Sequence, residues 1–113
     1  MAASYVPDEG DIIWLNITPQ SGHEQAGRRP AVVLSPKAYN QRAGLLICVP
    51  ITNQIKGYPF EVMLTGSGAT GAALADQVKN LDWKTRQAER KGQITLTEMA
   101  EIKARIKALL RLA

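Results

Sequence analysis

The sequence predicts a single, mainly β domain of antiparallel strands closed by one amphipathic helix at its C-terminal end. Three observations predict it. Short apolar runs bounded by Pro, Gly and polar turns recur through residue 94; the hydrophobic period then lengthens to that of a helix; and 113 residues suffice for one domain and little more. A composition of 45% hydrophobic and 21% charged residues is that of a folded chain rather than a disordered one. A core this small makes dimerisation a natural way to cover more apolar surface.

The elements follow in order. Pro7-Asp8-Glu9-Gly10 is a turn, and Asp11 to Ile17 reads as the first strand. Thr18 to Arg29 is polar and Gly-containing, a long loop of the kind that carries function in compact domains. Pro30 opens a second strand, Ala31 to Ser35, which Pro36 ends. Lys37 to Gly44 holds a short helical turn terminated by Gly44. Leu45 to Ile51 is an apolar run expected to be a central strand buried on both faces. The polar loop Thr52 to Gly57 leads to a strand over Tyr58 to Leu64, in which Pro59 favours an edge or a bulge. Thr65 to Gly71 is a turn, and Ala72 to Lys79 and Ala88 to Ile94 are further strands.

Met99, Ile102, Ile106, Leu109, Leu110 and Ala113 then fall at three- and four-residue spacing, one apolar helical stripe. Thr95 with Glu98 matches a capping box. Glu98 and Glu101 lie early and Lys107 and Arg111 late, as the helix dipole favours. Glu101 and Arg105 form an i,i+4 pair. No repeat, low-complexity tract or linker divides residues 1–113, which read as one domain.

The formal net charge of +4 suits a polyanionic partner and serves solubility equally well. Its distribution is uneven. Met1 to Gly27 holds Asp8, Glu9, Asp11 and Glu24 with no Lys or Arg, whereas Arg28 to Phe60 holds Arg28, Arg29, Lys37, Arg42 and Lys56 with no acid. Part of that basic block can form a phosphate-attracting face. Cys48 sits in an apolar run and is expected to be a buried, inert thiol. Met1 to Gly10 lacks the regions of a secretory signal and no stretch has the length of a membrane span, so a cytoplasmic location is expected.

Counting narrows the chemistry. With His23 and Cys48 the single residues of their types, no zinc site of the usual Cys/His kind can be assembled from one chain. The ten acidic residues show no magnesium-type cluster, and no phosphate loop, dinucleotide fingerprint or nucleophile elbow is present. An enzyme built from this chain is therefore expected to need no metal or cofactor. The densest group of reactive side chains is His23-Glu24-Gln25-Ala26-Gly27-Arg28-Arg29-Pro30. RNA carries its own nucleophile, the 2′-hydroxyl. A protein then supplies a base (Glu24 or His23) and donors for the phosphorane oxygens, for which a guanidinium of Arg28 or Arg29 is suited. The same composition also describes an ordinary Gly-punctuated surface loop.

Several blocks together carry a resemblance: Tyr5-Val6-Pro7-Asp8, Gly10-Asp11, Glu24-Gln25-Ala26-Gly27, Arg29 to Pro36, Cys48-Val49-Pro50, Lys56 to Val62 and Ala73 to Lys79. In this order they resemble the MazF/PemK family of type II toxin–antitoxin endoribonucleases, nearest its chromosomal enterobacterial members. The resemblance spans nearly the whole chain and is weakest after Asn80. It implies a compact SH3-like barrel or twisted antiparallel sheet, of the CcdB/PemK/MazF type, with a C-terminal helix. It also implies a homodimer that cuts single-stranded RNA without metal at a short motif (ACA in the nearest members), leaving 2′,3′-cyclic phosphate and 5′-hydroxyl ends.

By position, the resemblance makes Arg29 the catalytic arginine, Thr52 the hydroxyl donor to the scissile phosphate, and Glu24 an acidic residue of the active loop. Gln25, Arg28, Lys56, Gln77, Lys79 and Arg86 are weaker expectations for RNA contact, and Trp14 and Trp83 for base stacking, with Trp14 favoured as core. The implied partner is a MazE-like antitoxin with an acidic disordered tail. A gyrase-poisoning toxin of the CcdB type shares the fold, but that function resides in a Trp-Gly-Ile ending and this chain ends Leu109-Leu110-Arg111-Leu112-Ala113. A non-catalytic barrel binding RNA or a peptide is the third reading.

Overall fold

The computed structural model describes residues 4–16, 27–65 and 70–113. Within them the order is β1 (Asp11–Asn16), β2 (Arg28–Val33), α1 (Lys37–Ala43), β3 (Leu45–Thr52), β4 (Glu61–Leu64), β5 (Gly71–Leu74), β6 (Lys79–Asp82), β7 (Glu89–Gln93) and α2 (Leu96–Leu110). The strands join antiparallel in the order β4-β5-β3-β2-β1-β7, with β6 also beside β3. The architecture is the expected one, a mainly antiparallel sheet with a C-terminal helix.

β3 organises the sheet. β2 runs along one of its edges, from Cys48 to Pro50. The other edge is divided: Leu45 to Cys48 pair with β6, and Ile51 and Thr52 pair with β5. Alternate side chains of β3 then enter two cores. Leu46 and Cys48 join Ile13, Leu15, Ala31, Val33 and Trp83 on one face. Val49 and Ile51 join Ile12, Val32, Val62, Leu64 and, from α2, Met99 and Ile102 on the other. The run read as buried on both faces is so. Each fully buried Val, Leu or Ile contributes about 1.5–3 kcal/mol, against about 0–1 kcal/mol for an exposed ion pair such as Glu101–Arg105. The two cores, not surface charges, hold the fold.

Three sequence expectations are corrected. First, the second strand begins at Arg28, not at Pro30, because β1 stays paired as far as Asn16 opposite Arg28. Pro30 is tolerated inside it. The Leu34 N–H donates to the Ile47 carbonyl, so even-numbered residues of β2 point their amide groups toward β3. The Pro30 nitrogen therefore lies beyond the β2–β3 ladder, which starts at Ala31. Second, Tyr58, Pro59 and Phe60 are not strand. They precede β4 in a turn closed by the Glu61 N–H on the Tyr58 carbonyl, 3.1 Å. Third, Ala72 to Lys79 is not one strand but parts of β5 and β6, divided by a turn in which the Gln77 N–H donates to the Leu74 carbonyl at 3.0 Å. The division lets two short strands share the edge of one long one.

Both helices are placed by side-chain and main-chain oxygens. α1 ends as expected at Gly44, left-handed with φ 73°. Its Asn40, fully buried, accepts from the Ser35 hydroxyl (2.6 Å) and donates to the Pro7 and Ser35 carbonyls (2.8 and 3.0 Å). The Asn40 carbonyl accepts the Trp83 indole N–H at 2.9 Å. α2 has the predicted capping box, Thr95 with Glu98. Glu98 also takes the Thr65 N–H (2.7 Å) and hydroxyl (3.2 Å), tying the helix to the end of β4. Burial disfavours its charge, yet the Thr95 and Thr65 hydrogen bonds outweigh that and hold its carboxyl below the ordinary glutamate value. The predicted apolar stripe runs past the core: Met99 and Ile102 are buried, but Leu109 and Leu110 are exposed.

Asn40→Ala would leave several buried polar groups unpartnered and should cost roughly 2–4 kcal/mol in urea unfolding; a loss under about 1 kcal/mol would show that the network is dispensable. Glu98→Gln should cost roughly 1–2 kcal/mol at neutral pH. Because the folded pKa of Glu98 is lowered, its stabilisation is in force above pH 4.5, the ordinary value, and is lost as pH falls through the folded value. The wild-type and E98Q stabilities should therefore converge on acidification, and a gap that stays constant to pH 3 would sink this account.

Candidate nucleic-acid interface

β1 ends, β2 begins and β3 ends at one end of the sheet, and the predicted residues separate there by strand alternation. Arg28 and Arg29 are neighbours in β2, so they leave opposite faces. The Arg28 guanidinium donates to Asn16 Oδ1 (2.8 Å) and the Gln87 carbonyl (2.7 Å), and pairs with Glu89 at 3.3 Å. Arg86 reaches the same place, Nη1 donating to the Asn16 carbonyl at 3.0 Å. These two arginines brace β1, β7 and the turn between Trp83 and Gln87. Arg29 instead is exposed beside Leu15.

Ala31 lies opposite Pro50. The β2–β3 ladder ends at that pair, so Arg29 and Thr52 each lie two residues beyond the same end of it. Thr52 Oγ1 accepts the Gln54 N–H at 3.0 Å, so its own proton stays available to another acceptor. Thr52 lines a cavity of about 130 Å³ with Lys56, Tyr58, Glu61, Asp76 and Gln77. The structure thus brings Thr52, Lys56 and Gln77 together. Lys79 lies opposite Cys48, four residues back along β3 and roughly 13 Å away at strand rise. His23, Glu24 and Gln25 lie outside the described residues.

Tyr58, Glu61 and Asp76 of this cavity were not singled out in the sequence. Glu61 opens β4 and turns both carboxylate oxygens back on the preceding loop, accepting the Lys56 N–H at 2.9 Å and the Gly57 N–H at 2.8 Å. Gly57 has φ 82°, a conformation that glycine adopts without strain. The loop so held presents Tyr58, more than half exposed, with Lys56 Nζ 5.9 Å from its ring centre. No periodicity marks these positions; the signal available was an aromatic and a carboxylate flanking a Gly and a Pro. Trp83, by contrast, is buried with its N–H bonded, and Trp14 is half-buried beneath Lys91.

Burial pushes the Cys48 thiol up to about 11, with Lys79 and Arg86 opposing. It is packed as the sequence predicts and is no nucleophile. Among the described residues no three His, Cys, Asp or Glu side chains cluster as a metal site, and no helix is long and apolar enough to cross a membrane. The candidate interface is thus the cavity beside Thr52, with Lys56, Tyr58 and Gln77 at its walls.

Comparison with known proteins gives this geometry its context. The family described as PemK-like, MazF-like toxin of type II toxin–antitoxin system matches residues 8–110. The endoribonuclease toxin MazF of Escherichia coli is 54% identical over 97% of this chain and 99% of its own. The endoribonuclease PemK of Escherichia coli is 33% identical over 91% of this chain and 81% of its own. A chain of the Deinococcus radiodurans MazE–MazF crystal structure superposes with a TM-score of 0.92 at 49% identity, over 97% of this chain and all of that one. With the family match running from near the first strand to the end of the last helix, the chain belongs to the PemK/MazF family of toxins.

Proposed function

We propose that this chain, an endoribonuclease toxin by family, cuts single-stranded RNA within a short motif by an internal displacement that needs no metal ion. The 2′-oxygen attacks the adjacent phosphorus. The 2′-O–P bond forms as the P–O5′ bond breaks, leaving a 2′,3′-cyclic phosphate and a 5′-hydroxyl. Arg29 donates to the phosphorane oxygens as their charge builds, and the Thr52 hydroxyl donates to a non-bridging oxygen. Glu24, which the resemblance makes an acidic residue of the active loop, or His23 beside it takes the 2′-hydroxyl proton, and solvent supplies one to the departing 5′-oxygen.

What supports this reading is that Arg29 and Thr52 lie just beyond the same end of the β2–β3 ladder, Arg29 exposed and Thr52 lining a cavity with Lys56 and Gln77. In this reading Lys56, Gln77, Lys79 and Gln25 contact the RNA on either side of the scissile phosphate. Arg28 and Arg86, already bonded around Asn16, contribute charge and shape rather than free donors. Tyr58 offers a face on which a flanking base can stack. The motif expected is the ACA that the family resemblance implies.

The wider setting is proposed on the same family footing. The toxin acts as a homodimer in the cytoplasm and is silenced by a MazE-like antitoxin whose acidic, disordered tail orders on binding. The Deinococcus radiodurans structure pairs a MazE with a MazF.

Purified protein incubated with a long mixed-sequence RNA in excess EDTA should give discrete cuts with 5′-hydroxyl ends sharing one short motif. Absence of cuts that magnesium restores would refute the metal-free chemistry. Arg29→Ala should lower the cleavage rate by about 10²–10³-fold while shifting stability by less than about 0.5 kcal/mol, since the side chain is exposed. Cleavage by that variant at the wild-type rate would remove Arg29 from the mechanism.

A further inference from the structure

Thr52 is the last residue of β3, and a glycine backs it. β5 begins at Gly71, one step beyond the Thr52–Ala72 pair. Gly71 has φ +110°, and a Cβ built there would lie 2.3 Å from the Thr52 carbonyl oxygen, 3.1 Å from the Thr52 carbonyl carbon and 2.9 Å from Asn53 Oδ1. Two of these are main-chain atoms, which cannot swing aside as a side-chain end can. Gly10, Gly44 and Gly57 also have positive φ, yet a Cβ at any of them would meet nothing nearer than 4.0 Å. At those three a turn requires glycine. At Gly71 the neighbour requires it too.

We propose that Gly71 is a positioning residue for the cleavage reaction, acting through Thr52. Its bare Cα lets β5 start flush against the Thr52 carbonyl. That contact fixes the turn from Thr52 to Gln54, in which Oγ1 accepts the Gln54 N–H and keeps its proton for a phosphate oxygen. β5 cannot retreat from a methyl group, because Gly71 is also paired with Leu64 of β4 on its other side. The Thr52 main chain must yield instead, by roughly 1 Å, a misplacement that can cost about 100-fold in rate. The proposal rests on the reading of Thr52 as a phosphate donor.

The test is a double-mutant cycle of Gly71→Ala and Thr52→Ala on a fixed RNA oligonucleotide, with unfolding midpoint and oligomeric state measured for each protein. Gly71→Ala should lower kcat by about 10- to 100-fold with little change in KM, as for a contact made only in the transition state. In the Thr52→Ala background it should change kcat by less than about 2-fold. A folded double variant in which the two losses multiply overturns the proposal, as does wild-type cleavage by Gly71→Ala. Thr52→Ala cutting at the wild-type rate sinks the reading of Thr52 itself, a separate failure. Should Gly71→Ala not fold, Gln54→Pro removes the same N–H from the exposed side of the turn. It should show the same kcat loss, absent in the Thr52→Ala background, and wild-type cleavage or a multiplying loss would overturn the proposal.

Discussion

β3 must satisfy hydrogen bonds on both edges and bury side chains on both faces, and most of the molecule follows from that demand. A strand of eight residues is longer than either β5 or β6, at four residues each. Sharing one edge between two short strands leaves few main-chain groups of β3 unpartnered, an omission that would cost about 1–3 kcal/mol per buried group. The arrangement fixes where the chain must turn between Leu74 and Lys79. It also fixes that β3 ends level with the first residues of β2. That Arg29 and Thr52 lie just beyond the same end of the β2–β3 ladder is thus a by-product of completing the sheet.

Carboxylates connect the elements, chiefly through main-chain N–H groups rather than ion pairs. Asp8 accepts the N–H of Glu9 and of Lys37, joining the N-terminal turn to α1. Asp11 is buried and takes the Asp8 N–H and the Tyr5 hydroxyl; burial and then this bond drive the Tyr5 pKa well above its ordinary value. Glu98 does the same between β4 and α2. Charge-assisted bonds of this kind have roughly twice the strength of neutral ones. The acidic N-terminal block, which in the sequence is only a charge asymmetry, is therefore structural up to Asp11, with Glu9 also paired to Lys103.

How far the sequence was legible depended on whether the deciding interaction was local. The capping box of α2, the Gly44 stop of α1, the buried run of β3 and the inert Cys48 were readable because a few consecutive residues determine each. The start of β2 was not, since it is set by how far β1 stays in register across a connection of many residues. Nor was the split between β5 and β6, which depends on the length of β3. At the site, Arg29 and Thr52 were marked by the family resemblance. Without that resemblance Arg28 could not be told from Arg29, because strand phase alone sends one to Asn16 and the other to solvent. Glu61 escaped notice for the same reason: its partners are main-chain atoms, which leave no residue pattern.

The grip of Glu61 has a consequence for how such a site can change over generations. The two groups it holds are the amides of Lys56 and Gly57, which every residue except proline supplies. Loop shape is thereby decoupled from loop chemistry. Side chains at Gln54, Ile55, Lys56 and Tyr58 are exposed, and mutation can replace them while the same carboxylate keeps the backbone in place. A lineage of such proteins can therefore change the chemistry that this loop shows to solvent without first losing and then rebuilding the backbone that presents it.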